Sequence, residues 1–153
     1  MLRACSVIPK AQIDPGHIVD GIELAYDDRH RRRLVLQCKG GTRFLLDLKH
    51  AQILHDGEGL LLDNGSIIII HAALEDVAEI RCATVEILMH TAWHLGNRHL
   101  PCEIHQDRLV VRWDPVIAVM LEKRGCSVAR INAPFNPEGG AYETAHDHGR
   151  NHD

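Results

Sequence analysis

Twelve histidines occur in this 153-residue chain, and two groups of them place imidazoles where a divalent metal could use them. The first is Trp93-His94-Leu95-Gly96-Asn97-Arg98-His99. The second is the closing run Ala145-His146-Asp147-His148-Gly149-Arg150-Asn151-His152-Asp153. Neutral imidazole suits nickel, copper and zinc. A tail that alternates imidazoles with carboxylates cannot build a packed core, and metal capture is the chemistry it suits. His90 and His94 stand four apart, a spacing that puts two imidazoles on one helical face. No matching carboxylate and no third histidine at a metalloprotease interval accompanies them, so both read as helix-surface or packing residues.

The elements that must position these groups change in character near residues 71–76. Before that stretch the pattern is strand and turn. Residues 34–38 and 42–46 flank Gly40-Gly41 as a β-hairpin. Residues 60–62 and 67–70 form another around Asn64-Gly65, both expected at positive φ. The Arg29-His30-Arg31-Arg32-Arg33 run reads as a solvated hairpin tip, the alternative being a patch for an acidic protein partner. After residue 76, alternating Ala78, Ile80 and Cys82 predict a strand. A helix follows from a Thr84 cap, with Gly96 as its stop. Residues 100–105 and 108–113 make a strand pair, Asp114-Pro115 opens a second helix that Gly125 ends, and residues 127–132 form a last strand. The expected class is α+β: an all-β domain over 1–72, a β-α-β-β-α-β ferredoxin-like domain over 73–143, and a flexible histidine-bearing tail over 144–153.

Composition narrows the function classes. Apolar residues are 45% and charged residues 25% of the chain, ordinary usage for a soluble globular protein. A formal net charge of −4 argues against a nucleic-acid binder. The longest aliphatic stretch, residues 67–70, is too short to span a bilayer. Pro9 and Lys10 interrupt any signal-peptide core, so a cytoplasmic protein without membrane contact is expected. Cys5, Cys38, Cys82, Cys102 and Cys126 are odd in number and widely spaced, which suggests reduced and mostly buried thiols. An enzyme reading would pair Cys102 with His99 or His105 as thiolate and base, but no third, orienting group is evident. A ferredoxin-like sheet can bind RNA through aromatics; here two Phe, two Tyr and two Trp are all it could draw on.

Residues 93–99 resemble the helix-end signature of the UreE family, urease accessory proteins that carry nickel. Pro134-Phe135-Asn136-Pro137-Glu138-Gly139-Gly140-Ala141-Tyr142 is similar to that family's closing motif, and the tail completes the likeness. The resemblance implies a non-catalytic homodimer with Ni(II) as cargo; by ligand chemistry Zn(II) or Cu(II) would compete for the same nitrogens. It implies as partners apo-urease and its other accessory proteins, including a GTPase. By the same resemblance His99 lies at the dimer interface and binds metal with its symmetry mate. His146 and His148 match the paired tail histidines of some members; His152 extends that set. Surplus coordination positions would permit a metal-linked tetramer. A passive nickel or zinc store is the neighbouring alternative, and it would show many equivalent weak sites.

Overall fold

The computed structural model describes residues 1–138. These residues are mixed α+β, with two sheets and two α-helices, and they divide into two compact units, Met1–Ala73 and Leu74 onward. The first unit holds β1 (Leu2–Ile8), β2 (Ile18–Leu24), β3 (His30–Gln37), β4 (Arg43–Ile53), β5 (Gly59–Leu62) and β6 (Ile67–Ala72), with short 3-10 turns between β1 and β2 and between β2 and β3. They form one sheet in the order β2-β6-β5-β1-β4-β3. Most pairs are antiparallel; β1 lies parallel to β4, and β2 parallel to β6.

Period-two alternation builds the core of this unit. Ile22 and Leu24, Phe44, Leu46 and Leu48, Leu60 and Leu62, and Ile68 and Ile70 fall on every second position of their strands and share one buried cluster. Among the described residues this unit contains no α-helix, so the sheet curls to cover its apolar face with itself. Asp20 of β2, on one edge, closes the curl. Its carboxylate accepts backbone N–H bonds from Gly21 (2.8 Å), Gly40 (2.9 Å) and Thr42 (3.2 Å), and the last two lie in the loop between β3 and β4. Beside it the Lys39 N–H donates to the Gly21 carbonyl, and Lys39 Nζ reaches Glu23 at 2.8 Å. Gly40 is required there, because a Cβ would sit 2.8 Å from an Asp20 carboxylate oxygen.

Both expected hairpins form, pairing Leu36 with Phe44 and Leu61 with Ile67. Two details differ. Gly65 alone takes positive φ (+88°) in the second turn; Asn64 contributes its side chain, which accepts from the Ser66 N–H at 3.0 Å. The arginine run is not a solvated tip. His30 to Arg33 enter edge strand β3, and Arg29 is fully buried, its Nη1 3.4 Å from the Leu54 carbonyl and its guanidinium over the Tyr26 ring. Its backbone is held as well, because the Leu54 N–H donates to the Arg29 carbonyl at 2.7 Å.

The second unit runs β7 (Leu74–Arg81), α1 (Val85–Asn97), β8 (Glu103–Ile104), β9 (Leu109–Arg112), α2 (Pro115–Lys123) and β10 (Ser127–Pro134). Its sheet is antiparallel throughout, in the order β10-β7-β9-β8. Ala78 and Ile80 of β7 and Leu109 and Val111 of β9 pack with Leu88 and Leu95 of α1 and Leu121 of α2. Side chains cap both helices: Thr84 Oγ1 accepts from the Ile87 N–H at 3.1 Å, and Asp114 from Val116 and Ile117. Each cap contributes about 1 kcal/mol.

Hydrogen bonds from Gly21, Gly40 and Thr42 stabilise the Asp20 carboxylate and hold its pKa down to about 2. A carboxyl depressed on folding adds stability that is present above its unfolded pKa and lost as pH falls through the folded value. Thermal melts of the wild type should therefore drop steeply between about pH 4 and about pH 2. Asp20→Asn should start lower and fall with a shallower slope; equal acid slopes would remove Asp20 from the account.

Candidate metal centre

Helix α1 ends in a way its sequence does not advertise. Gly96, the expected stop, lies inside the last turn, and Arg98 is the cap. The residue that reverses the chain is His99, at φ +59°. The His99 N–H donates to the Gly96 carbonyl (2.9 Å) and the Leu100 N–H to the Leu95 carbonyl (3.2 Å), the two bonds of a Schellman ending. Leu95 and Leu100 both join the core, so the hydrophobic contact that usually accompanies this ending is present. Helix α2 ends identically, with Gly125 at φ +89° and the Cys126 N–H on the Leu121 carbonyl. Glycine adopts that conformation freely, whereas an L-residue is disfavoured by about 1–2 kcal/mol. His99 thus occupies a glycine position, exposed and fixed by its backbone.

The helices leave an apolar surface beside this turn. Val85, Met89 and Trp93, four apart on α1, are 66%, 66% and 65% exposed, and Val116 and Val119 of α2 are exposed with them. A groove between α1 and α2 is lined by His94, Arg98, Val116, Val119, Met120 and Lys123. His94 thereby belongs to the groove wall and packs edge-on against the Trp93 ring, while His90 is exposed. Among the described residues no three His, Cys, Asp or Glu side chains gather to hold a metal.

The start of the closing motif folds back toward the His99 turn. Phe135 is fully buried, with the Arg112 guanidinium 5.9 Å over its ring. The Asn136 N–H donates to Glu103 Oε2 at 3.0 Å, and the Glu138 N–H donates to the Cys102 carbonyl at 2.9 Å. The other Glu103 oxygen meets His105 Nε2 at 2.7 Å. His105 is therefore engaged with a carboxylate, and the Cys102 thiol is pushed up to about 11, chiefly by burial. A thiol so raised is mostly protonated at neutral pH and a slow nucleophile there. Gly139 to Tyr142 and the tail residues His146, His148 and His152 lie outside the described residues.

The tether through Glu103 escaped sequence reasoning, because it joins residues more than thirty apart. The left-handed His99 had a signal that was not used: Leu95 and Leu100 five apart, with Pro101 just beyond, mark a Schellman ending without its glycine.

Comparison with known proteins bears on this geometry. Residues 3–73 match the family model described as UreE urease accessory protein, N-terminal domain, and residues 75–153 match the corresponding C-terminal domain. The urease accessory protein UreE of Beijerinckia indica is 46% identical over 153 residues, covering 97% of this chain and 87% of that protein. The UreE of Chelativorans sp. (strain BNC1) is 46% identical over 148 residues, covering 97% and 90%. That of Azorhizobium caulinodans is 40% identical over 154 residues, covering 99% and 74%.

The left-handed backbone at position 99 yields a test that needs no metal. His99→Gly should raise the thermal midpoint by a few degrees, because about 1 kcal/mol of backbone strain is relieved. His99→Ala, which keeps a Cβ at positive φ, should not. A drop on His99→Gly would show that the imidazole supports the fold.

Proposed function

The chain belongs to the UreE family of urease accessory proteins, and from that premise we propose that it carries Ni(II) to apo-urease during assembly of the urease metallocentre. The observation that carries the reading is His99: an exposed imidazole in a glycine conformation, beside an apolar helix surface. One imidazole is a poor ligand set for nickel. A two-fold axis through Val85, Met89 and Trp93 would bury that stripe and pair His99 with its symmetry mate, doubling the ligands at no cost in sequence. Such an open pair suits a donor, since a closed four-ligand cage would release metal slowly.

The tail supplies the remaining ligands in this reading. Glu138 is bonded to Cys102, three residues from His99, and His146 follows eight residues later. Eight extended residues span up to about 26 Å, enough to bring His146, His148 and His152 to the turn. The order β10-β7-β9-β8, with α1 and α2 packed on the sheet, is read as the ferredoxin-like arrangement. In this reading that unit, through residue 143, serves dimerisation and metal binding, and the first unit docks partner proteins, the GTP-hydrolysing accessory protein among them. Surplus coordination positions allow a metal-linked tetramer, and the setting is the cytoplasm. Zn(II) and Cu(II) compete for the same nitrogens, so preference for nickel comes from geometry, supply and the recipient.

Calorimetric nickel titration with light scattering tests this. Wild type should be a dimer with about one tight ion per two chains, the count one symmetric His99 pair predicts. His99→Ala should lose that ion and stay dimeric, and truncation after Glu143 should only weaken it. Trp93→Asp should fall to monomer mass and lose the tight ion with its circular dichroism unchanged. Normal binding by His99→Ala would refute the assignment, and several equivalent weak ions per chain would favour storage.

A further inference from the structure

Cys82 follows β7 and Cys126 precedes β10. Arg81 and Ser127 are the terminal paired residues of the antiparallel ladder between those strands. The two cysteines therefore face each other one step beyond it. Directly opposed residues have Cβ atoms about 4.5–5.5 Å apart, and a disulfide takes about 3.5–4.5 Å, so a small local shift spans the difference. Both thiols are free, and their sulfurs are 3.3 Å apart. We propose that Cys82 and Cys126 form a reversible dithiol–disulfide site in this chain, oxidised by low-molecular-weight disulfides.

The surroundings assign the two sulfurs different roles. Cys126 is buried and Cys82 half-buried, so Cys82 meets the oxidant first. Thr91 Oγ1 donates to the Ile87 carbonyl at 2.7 Å, which leaves the Thr91 hydroxyl oxygen to accept from the Cys126 S–H at 3.6 Å. The Cys126 sulfur then accepts from Cys82. Burial, and next the bond to Cys126, pushes the Cys82 thiol up to about 11, so exchange is slow at neutral pH and faster in mild alkali. The Cys82 thiolate attacks one sulfur of the oxidant, its proton passing to solvent. The oxidant's S–S bond breaks, a mixed disulfide forms and one thiolate leaves. Cys126, deprotonated in turn, attacks the Cys82 sulfur and expels the second thiolate. Two protein thiols are oxidised, one small disulfide is reduced to two thiols, and the protons lost by the protein reprotonate them. The bond closes a loop across 44 positions that contains both helices and the His99 turn.

The test uses the native full-length chain and glutathione disulfide at about pH 8.5, near the free-thiol pKa, followed by alkylation and peptide mapping. In wild type the Cys82 and Cys126 peptides should lose both alkylatable thiols and the mass of two hydrogens, be recovered joined to each other, and regain both thiols in dithiothreitol, while the exposed Cys5 takes up glutathione separately. Cys126→Ser should stop at one glutathione on Cys82, and Cys82→Ser should leave Cys126 unmodified. Full alkylation of both cysteines in oxidant-treated wild type would overturn the proposal. So would a link that forms only in guanidinium. The wild-type result decides the matter even if a variant misfolds.

Discussion

A sheet with one apolar face must keep that face from water, and the two sheets of this protein do so by different means. The six-stranded sheet, in a unit with no α-helix among its described residues, curls until one edge meets the loop beside the other, where Asp20 receives three backbone N–H groups. The four-stranded sheet is covered by α1 and α2. Two helices laid on a sheet have outer faces of their own, which would ordinarily be polar. Here they carry Val85, Met89, Trp93, Val116 and Val119 instead. These side chains lie outside the core that the helices form with the sheet, so this second apolar surface answers a different demand. His99 stands at its end.

The helix end shows the same separation of demands. Leu95 and Leu100 are drawn into one core, and the chain between them must turn left-handed to bring them there. Glycine meets that requirement at Gly125. A histidine at the equivalent place gives up stability and, in return, has a backbone set by hydrogen bonds to Gly96 and Leu95 rather than by its own preferences. An imidazole carried on such a turn is aimed by the helix.

Much of this was legible in the residues. Turn chemistry and period-two alternation located the hairpins, and the Thr84 and Asp114 caps and the Gly125 ending were readable because each is a local interaction within a few residues. What was not legible depends on distance along the chain or on context. The arginine run looked like a solvated tip, and only the pairing of β3 with β4 and the enclosure of Arg29 beside Leu54 show otherwise. Gly96 looked like the helix stop because glycine is the usual left-handed residue, while the packing of Leu100 moved the reversal to His99. Cysteine spacing excluded a disulfide framework and could not reveal that Cys82 and Cys126 are ladder neighbours. The tail histidines were conspicuous in sequence and lie outside the described residues.

The parallel pairs in the first unit bear on how the chain comes into being. Strand β1 lies between β4 and β5, and β2 finds its partner in β6, which ends at Ala72. During synthesis β2 has no neighbour in its sheet until nearly the whole first unit has left the ribosome. Pairings of such sequence separation carry the loop-closure cost before they return any contact, which makes folding slow. The second unit begins at Leu74, directly after the strand that completes the first. A nascent chain that has emerged from the ribosome past residue 74 would therefore have everything it needs to close the first unit, whereas one that has emerged only to residue 60 would expose β2 as an unpaired edge, open to association with other chains.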